Sequence, residues 1–387
     1  MAIALTNARV LRGTSLLEGQ SVLIRNGRIE AIVPAPGVRG MQKIDLGGGL
    51  LLPGFIDTQV NGGGGMLFND APTVESIRRI GRAHRRFGTT GFLPTLISTD
   101  LEVVAQAIAA TRAALAAGVP GVLGIHIEGP FLSVERKGVH DQAKLRELDD
   151  SAVGLLTSLG SGRTIVTLAP EVTTPHIIQR LADAGVIVSA GHTNATYAEA
   201  TEALRHGLRG FTHLFNAMSQ LTSREPGVVG AALEDPASWC GIIVDGEHIA
   251  PPVLRLALRC KPHERFMLVT DAMPALGTDL RAFELQGRPI TVAGSVCYDE
   301  DGRLAGSNID LASCVRNAIE LLGLPLHEAV HMASLYPAEF LGLAGEFGRI
   351  EPGYRANLVL TDENLNVRST WIDGQREDEG PISPPPG

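Results

Sequence analysis

The chain has 387 residues, 44% hydrophobic and 19% charged, with 45 glycines and 23 prolines. That length suits one large globular domain with a smaller accessory domain. A formal net charge of -9 argues against a non-specific nucleic-acid binder. No stretch reaches the ~20 apolar residues of a membrane span, and the opening MAIALTNARV lacks the charged-then-apolar pattern of a secretion signal.

The first fifty residues alternate apolar and polar positions in short runs, such as SVLIRNGRIEAIV, with Asn26-Gly27 predicting a tight hairpin turn. The same style returns near the end in GRIEPGYRANLVLTDENLNVRSTWIDGQ. Residues 1–52 and 345–380 are therefore expected to form one small β-sandwich domain built from both termini. Residues 381–387 are expected to be a loose tail.

Between these ends, apolar strands alternate with helices, the pattern of a parallel α/β fold. Eight strands are expected, in LLPGFIDTQV, TTGFLPTL, GVLGIHIEG, TIVTLAPE, GVIVSAGH, GLRGFTHLFN, WCGIIVDG and FMLVTDAM. Runs such as Val186-Ile187-Val188 suit strands buried on both faces. The reading is a (β/α)8 TIM barrel over residues 53–344. Helices are expected in TVESIRRIGRAHRRFG, TTPHIIQRLADAG, TYAEATEALRHG, IDLASCVRNAIELLG and PLHEAVHMASLYPAEFLGL. Thr196 and Glu199 have capping-box spacing. That use explains Thr196 better than the glycosylation sequon it completes with Asn194.

A barrel enzyme builds its site at the carboxyl ends of its strands. Here those ends carry Asp57, Gln59 and Asn61, then His126 and Glu128, His192, His213 and Asp271, with Asp245 and His248 past the seventh strand. A lone histidine at a strand end is usually structural. Several buried together are costly unless something compensates them. Two imidazoles and a carboxylate from Glu128, His192 and His213 make a catalytic metal set with positions left for water. His126 sits two residues before Glu128 and faces the same side, where it either orients a ligand or is a structural residue. The four cysteines, Cys240, Cys260, Cys297 and Cys314, show no paired spacing and suit reduced thiols in a cytoplasmic protein.

The flanking residues are specific. PGFIDTQVNG, GIHIEGPFLS, KGVH, SAGHTNAT, THLFNAMS, VDGEH, LVTDAM and LAGS occur in that order. Together they resemble the N-acetylglucosamine-6-phosphate deacetylase family of the amidohydrolase superfamily, over nearly the whole chain. The resemblance implies hydrolysis of an amino-sugar phosphate to the free amine and acetate. It implies Glu128, His192 and His213 as metal ligands, Asp271 as general base and acid, and His248 on the acetamide carbonyl. It also implies substrate contacts from Val139, His140, Asn216, Ala217, Arg224 and the segment Leu304, Ala305, Gly306 and Ser307. Family members are commonly homodimers, and a neighbouring subunit is implied to complete part of the phosphate site.

Many amidohydrolases carry His-x-His at the end of strand one and bind a second metal there. This chain has Gln59 and Asn61, and neutral amides are much weaker ligands. One divalent metal per subunit is expected, zinc first, with iron, cobalt or manganese able to use the same set. Gln59 is expected to reach it through water at most. The alternatives are a cyclic amidase or nucleobase deaminase of the same superfamily, which has no need of Arg224, or an inactive amidohydrolase-fold structural protein. Inactive relatives typically lose the residues kept here.

Overall fold

The computed structural model describes residues 2–376. Residues 377–380 of the expected terminal domain, and the 381–387 tail, lie outside the described residues. Eight parallel strands form one sheet in chain order: Phe55–Val60, Thr89–Ile97, Gly124–Glu128, Arg163–Leu168, Ile187–Ala190, Leu208–Phe211, Trp239–Ile242 and Phe266–Leu268. They are the eight read from the sequence. Every residue in them is buried except Arg163 and Arg209, as expected for strands covered by side chains inside and helices outside.

The ladder runs from the first strand to the eighth, and the ring is closed at the strand ends. The amide of Asp271 donates to the carbonyl of Gln59 at 3.0 Å, and that of Asn61 to Ala272 at 3.0 Å. Below them Thr270 Oγ1 donates to Asp57 Oδ2 at 2.6 Å. Asp57 is thus a seam residue. Burial pushes its carboxyl up to about 7, against the bonds from Thr270 and Gln59 that favour the charge.

Parallel neighbours need crossovers, and helices supply them. Val74–Arg85 starts at Thr73, whose side chain accepts from the Ser76 amide. Pro175–Asp183 starts at Thr174 with proline in its first turn. Tyr197–Arg205 carries the expected capping box, both bonds between Thr196 and Glu199 being present. The last expected helix is two. Leu326–Ala333 and Leu335–Phe340 meet at Ser334, where the backbone leaves helical angles (φ −135°, ψ −68°). Pro337 lacks the N–H that would bond back across this junction, so one continuous helix would leave a carbonyl unpaired.

Gly124 opens the third strand directly opposite Arg163 of the fourth. A Cβ there would lie 1.8 Å from the Arg163 carbonyl oxygen. Because the clash is with backbone, Gly124→Ala should cost about 3 kcal/mol. The expected result is a clearly lowered melting midpoint or loss of soluble protein. A melt superimposable on the wild type would show that the two strands can part at no cost.

Both termini enter a second sheet. Its path runs through Gln375–Arg376, Val367–Ile372, Leu358–Thr361, Leu50–Pro53, Ala2–Arg12, Ser15–Arg25 and Arg28–Pro34, with Gln42–Asp45 also on Ala2–Arg12. Asn26 and Gly27 take φ of 51° and 78°, the left-handed pair of a tight hairpin turn. Leu5, Val22, Leu51, Leu358 and Trp371 form its separate apolar core.

One element was not read from the sequence. Ala282–Leu285, Arg288–Ala293, Val296–Tyr298 and Leu304–Ser307 make an antiparallel meander after the eighth strand. Leu285, Ile290 and Cys297 pack with Ile97, Val139 and Met273 from the strand-end loops. Gln286 Nε2 ties the meander to the Ser98 carbonyl at 2.6 Å. The meander therefore walls one side of the barrel mouth. No described helix is long and apolar enough to cross a membrane.

Candidate active site

Several strand-end residues leave their strands in left-handed backbone: His192 at φ 49°, His213 at 35°, Ala217 at 50° and Asp271 at 54°. Such angles are uncommon for residues other than glycine and cluster where surrounding structure enforces them. The chain turns sharply at each, and the side chains gather over the barrel mouth.

Three donor atoms converge there. His213 Nε2 is 3.0 Å from Glu128 Oε1 and 3.0 Å from His192 Nε2. His192 Nε2 is 3.2 Å from Glu128 Oε1. Ligands about 2.0–2.1 Å from a tetrahedral cation stand about 3.3 Å apart, so this triangle fits one divalent ion. The tautomers agree. His192 Nδ1 faces the Arg136 carbonyl at 3.0 Å, so its proton belongs there and the Nε2 lone pair is free. The His213 ring is buried, and its Nδ1 has no hydrogen-bond partner among the described residues.

A buried group of Glu128, His140 and His192, with donor atoms within 4.8 Å of one another, offers a second possible set. The hydrogen bonds decide between the sets. His140 Nδ1 accepts the Ser98 amide at 3.3 Å and lies 2.7 Å from Ser98 Oγ. The His140 proton therefore belongs on Nε2, which makes that atom a donor and not a ligand. Burial, with His192 beside it, holds this ring well below the usual histidine range and hence neutral. The His213 triangle is the better cation site.

Next to it stands Asp271. Burial pushes its carboxyl up to about 6, and the Glu128 carboxylate adds repulsion. Its Oδ1 accepts from Asn61 Nδ2 at 2.7 Å and from Gln59 Nε2 at 3.1 Å. The Gln59 nitrogen also reaches Glu128 Oε2 at 3.0 Å. Across the mouth, His248 Nδ1 is 2.5 Å from Asp245 Oδ2. That fixes the His248 proton on Nδ1 and leaves Nε2 for the cavity.

The cavity has a volume of about 520 Å³. Among the expected residues, Glu128, His192, His213 and Asp271 line it, as do Val139, His140, Asn216, Ala217 and His248. Leu304 and Gly306 line it too, whereas Ala305 and Ser307 do not. These four alternate along one strand, and successive residues face opposite sides. Ser307 instead donates to the Thr270 carbonyl at 2.5 Å. Gln59 is buried and does not line the cavity. Arg224 is exposed and outside the lining.

His126 takes no part in the cluster. Its nitrogens lie 3.0 Å from the Thr58 carbonyl and 2.7 Å from Thr167 Oγ1, inside the barrel. Sequence reasoning missed Arg136, Lys137 and Arg303, which bring positive charge to the lining. Lys137 opens the KGVH motif without having been given a role, and the only signal of Arg136 and Arg303 was adjacency to KGVH and LAGS.

A closed parallel barrel with a carboxylate–imidazole cation site and a buried acid at its mouth defines a metallohydrolase of the TIM-barrel class. The chain belongs to the amidohydrolase family, whose model matches residues 50–376. It is similar to the N-acetylgalactosamine-6-phosphate deacetylase of Shewanella sp., at 43% identity over 95% of this chain and 94% of that one. It is also similar to the N-acetylglucosamine-6-phosphate deacetylase of Haemophilus influenzae, at 38% identity over 97% and 99%. The crystal structure of N-acetylglucosamine-6-phosphate deacetylase from Pasteurella multocida superposes with a TM-score of 0.95, at 37% identity over 98% of this chain and 100% of that one. The resemblance carried by the motifs is borne out.

Proposed function

We propose that the protein is a metal-dependent deacetylase that hydrolyses N-acetylglucosamine 6-phosphate to glucosamine 6-phosphate and acetate. One observation carries this reading: a cation-sized triangle of Glu128, His192 and His213 shares a cavity with a carboxylate that keeps one oxygen free. A divalent ion in that triangle would supply Lewis acidity, lowering the pKa of water and polarising an amide carbonyl. Zinc suits two imidazoles and a carboxylate; iron, cobalt or manganese can use the same set.

Asp271 takes a proton from the water that attacks the acetyl carbon and delivers it to the amide nitrogen. A C–O bond forms, the C–N bond breaks, and the amine leaves neutral. His248, aligned by Asp245, turns Nε2 to the substrate, and the His140 Nε2–H stands where a donor to a substrate oxygen is needed. Asn216, Ala217, Arg136, Lys137 and Arg303 place amide and cationic groups around the cavity for a phosphate. The exposure of Arg224 away from its own cavity supports its serving a neighbouring subunit of a homodimer. The four cysteines are unpaired, which supports a cytoplasmic setting.

Acetate release tests the reading. N-acetylglucosamine 6-phosphate should exceed the unphosphorylated sugar by about 100-fold in kcat/KM, the worth of one or two charge-assisted hydrogen bonds. Equal rates would sink the phosphate assignment. The 43% identity to a galactosamine-phosphate enzyme favours a second reading, in which the sugar has the opposite configuration at C4. Faster turnover of that epimer in the same assay would move the substrate and keep the reaction.

A further inference from the structure

We propose that Asn61 is a positioning residue that, with Gln59, clamps Oδ1 of Asp271 so that Oδ2 alone handles the proton. The proposal rests on the deacetylase reading above and names residues within that same site. Both side chains are buried, Asn61 at 0% and Gln59 at 2% exposure. Their amide nitrogens bracket one oxygen, at 2.7 and 3.1 Å. No hydrogen bond from another described residue reaches Oδ2, and Asp271 forms part of the cavity wall.

The direction of these amides follows from their partners. The Gln59 end group sits between Glu128 Oε2 and Asp271 Oδ1. Both partners are acceptors, so the group must present its NH2. No donor from another described residue reaches the buried Asn61 Oδ1, so none of them pulls its amide the other way. The backbone holds both in place through the bonds that close the barrel, Asp271 N to Gln59 O and Asn61 N to Ala272 O, each 3.0 Å.

An oxygen that accepts two hydrogen bonds is a poor proton acceptor, and its partner on the same carbon becomes the basic one. The carboxylate plane is also fixed, which a residue that must collect a proton and then return it to a different atom requires. Gln59 adds a link. Glu128 turns Oε1 to the histidines and Oε2 to Gln59, so one amide sets the cation-holding carboxylate and the proton-carrying one relative to each other.

The test compares wild type with Asn61→Leu and Asn61→Asp in the acetate assay, with metal content measured by mass spectrometry. Asn61→Leu keeps the volume and removes the donor. It should lower kcat by about 10- to 100-fold, the worth of one hydrogen bond to a charged group, with KM within about twofold and metal content unchanged. Asn61→Asp keeps the shape, turns a donor into an acceptor against Asp271 and should lose at least as much. It decides the matter if the leucine variant fails to fold. A kcat within twofold of wild type in either folded variant overturns the clamp. So does a loss of activity that tracks loss of metal or a raised KM, which would mark Asn61 as structural or substrate-binding. A wild type that releases no acetate from any of the sugars overturns the deacetylase reading, and the clamp's role falls with it.

Discussion

Asp271→Asn is expected to keep its metal and lose turnover by about a thousandfold or more, within the range for removing a general acid–base. The substitution preserves shape, and the two donors on the old Oδ1 still need an acceptor. The new amide would therefore give its oxygen to Asn61 and Gln59 and turn its NH2 toward the cavity. A group that donates would stand where one must accept. KM should change little, because the loss belongs to the transition state. Measured kcat with metal content separates the cases: activity above about a tenth of wild type would refute the assigned role.

Removal of the divalent ion should have an effect of similar size. Dialysis against a chelator is expected to leave less than about one per cent of the activity, and one equivalent of zinc, iron, cobalt or manganese should restore it. Ion and fold are linked, since an ion that binds only the folded chain stabilises it by about 4 kcal/mol at a thousandfold excess over its Kd. The stripped protein should therefore melt at a lower temperature. Metal analysis should give one ion per chain, because the amides of Gln59 and Asn61 are committed to carboxylates and leave no second ligand set at strand one. Full activity after exhaustive chelation would overturn the cation assignment. A firm stoichiometry of two would overturn the reading of Gln59.

Much of this architecture could be read directly from residues. Strands buried on both faces appear as unbroken apolar runs, so Val186-Ile187-Val188 and Ile242-Ile243-Val244 stand out without periodicity. Polar groups at their ends stand out by contrast, which is why Glu128, His192, His213 and Asp271 could be singled out together. The meander at 282–307 could not. Its strands are short and mix buried with exposed residues, with burial alternating along Arg288–Ala293, a pattern shared by ordinary surface loops. Arg303, which it contributes to the cavity, was invisible for that reason. The direction of Gln59 was equally hidden. A strand end says that an amide is present but not which atom it offers, and only two carboxylates on either side decide that. Arg224 shows the opposite limit: its motif placed it among phosphate contacts, while a single folded chain leaves it exposed.

The sheet built from both ends of the chain has a consequence for how the protein is made. Leu50–Pro53 pairs with Leu358–Thr361, so a strand from the first seventh of the sequence waits for one near its end. During synthesis the early strands emerge with an edge that has no partner until Leu358–Thr361 has been made. Such edges recruit other chains, and contacts this distant in sequence close slowly. The barrel segments between them can be assembled first. The terminal sheet can be completed only after residue 358 is made, so the interval between making residue 53 and residue 358 sets how long that edge stands open.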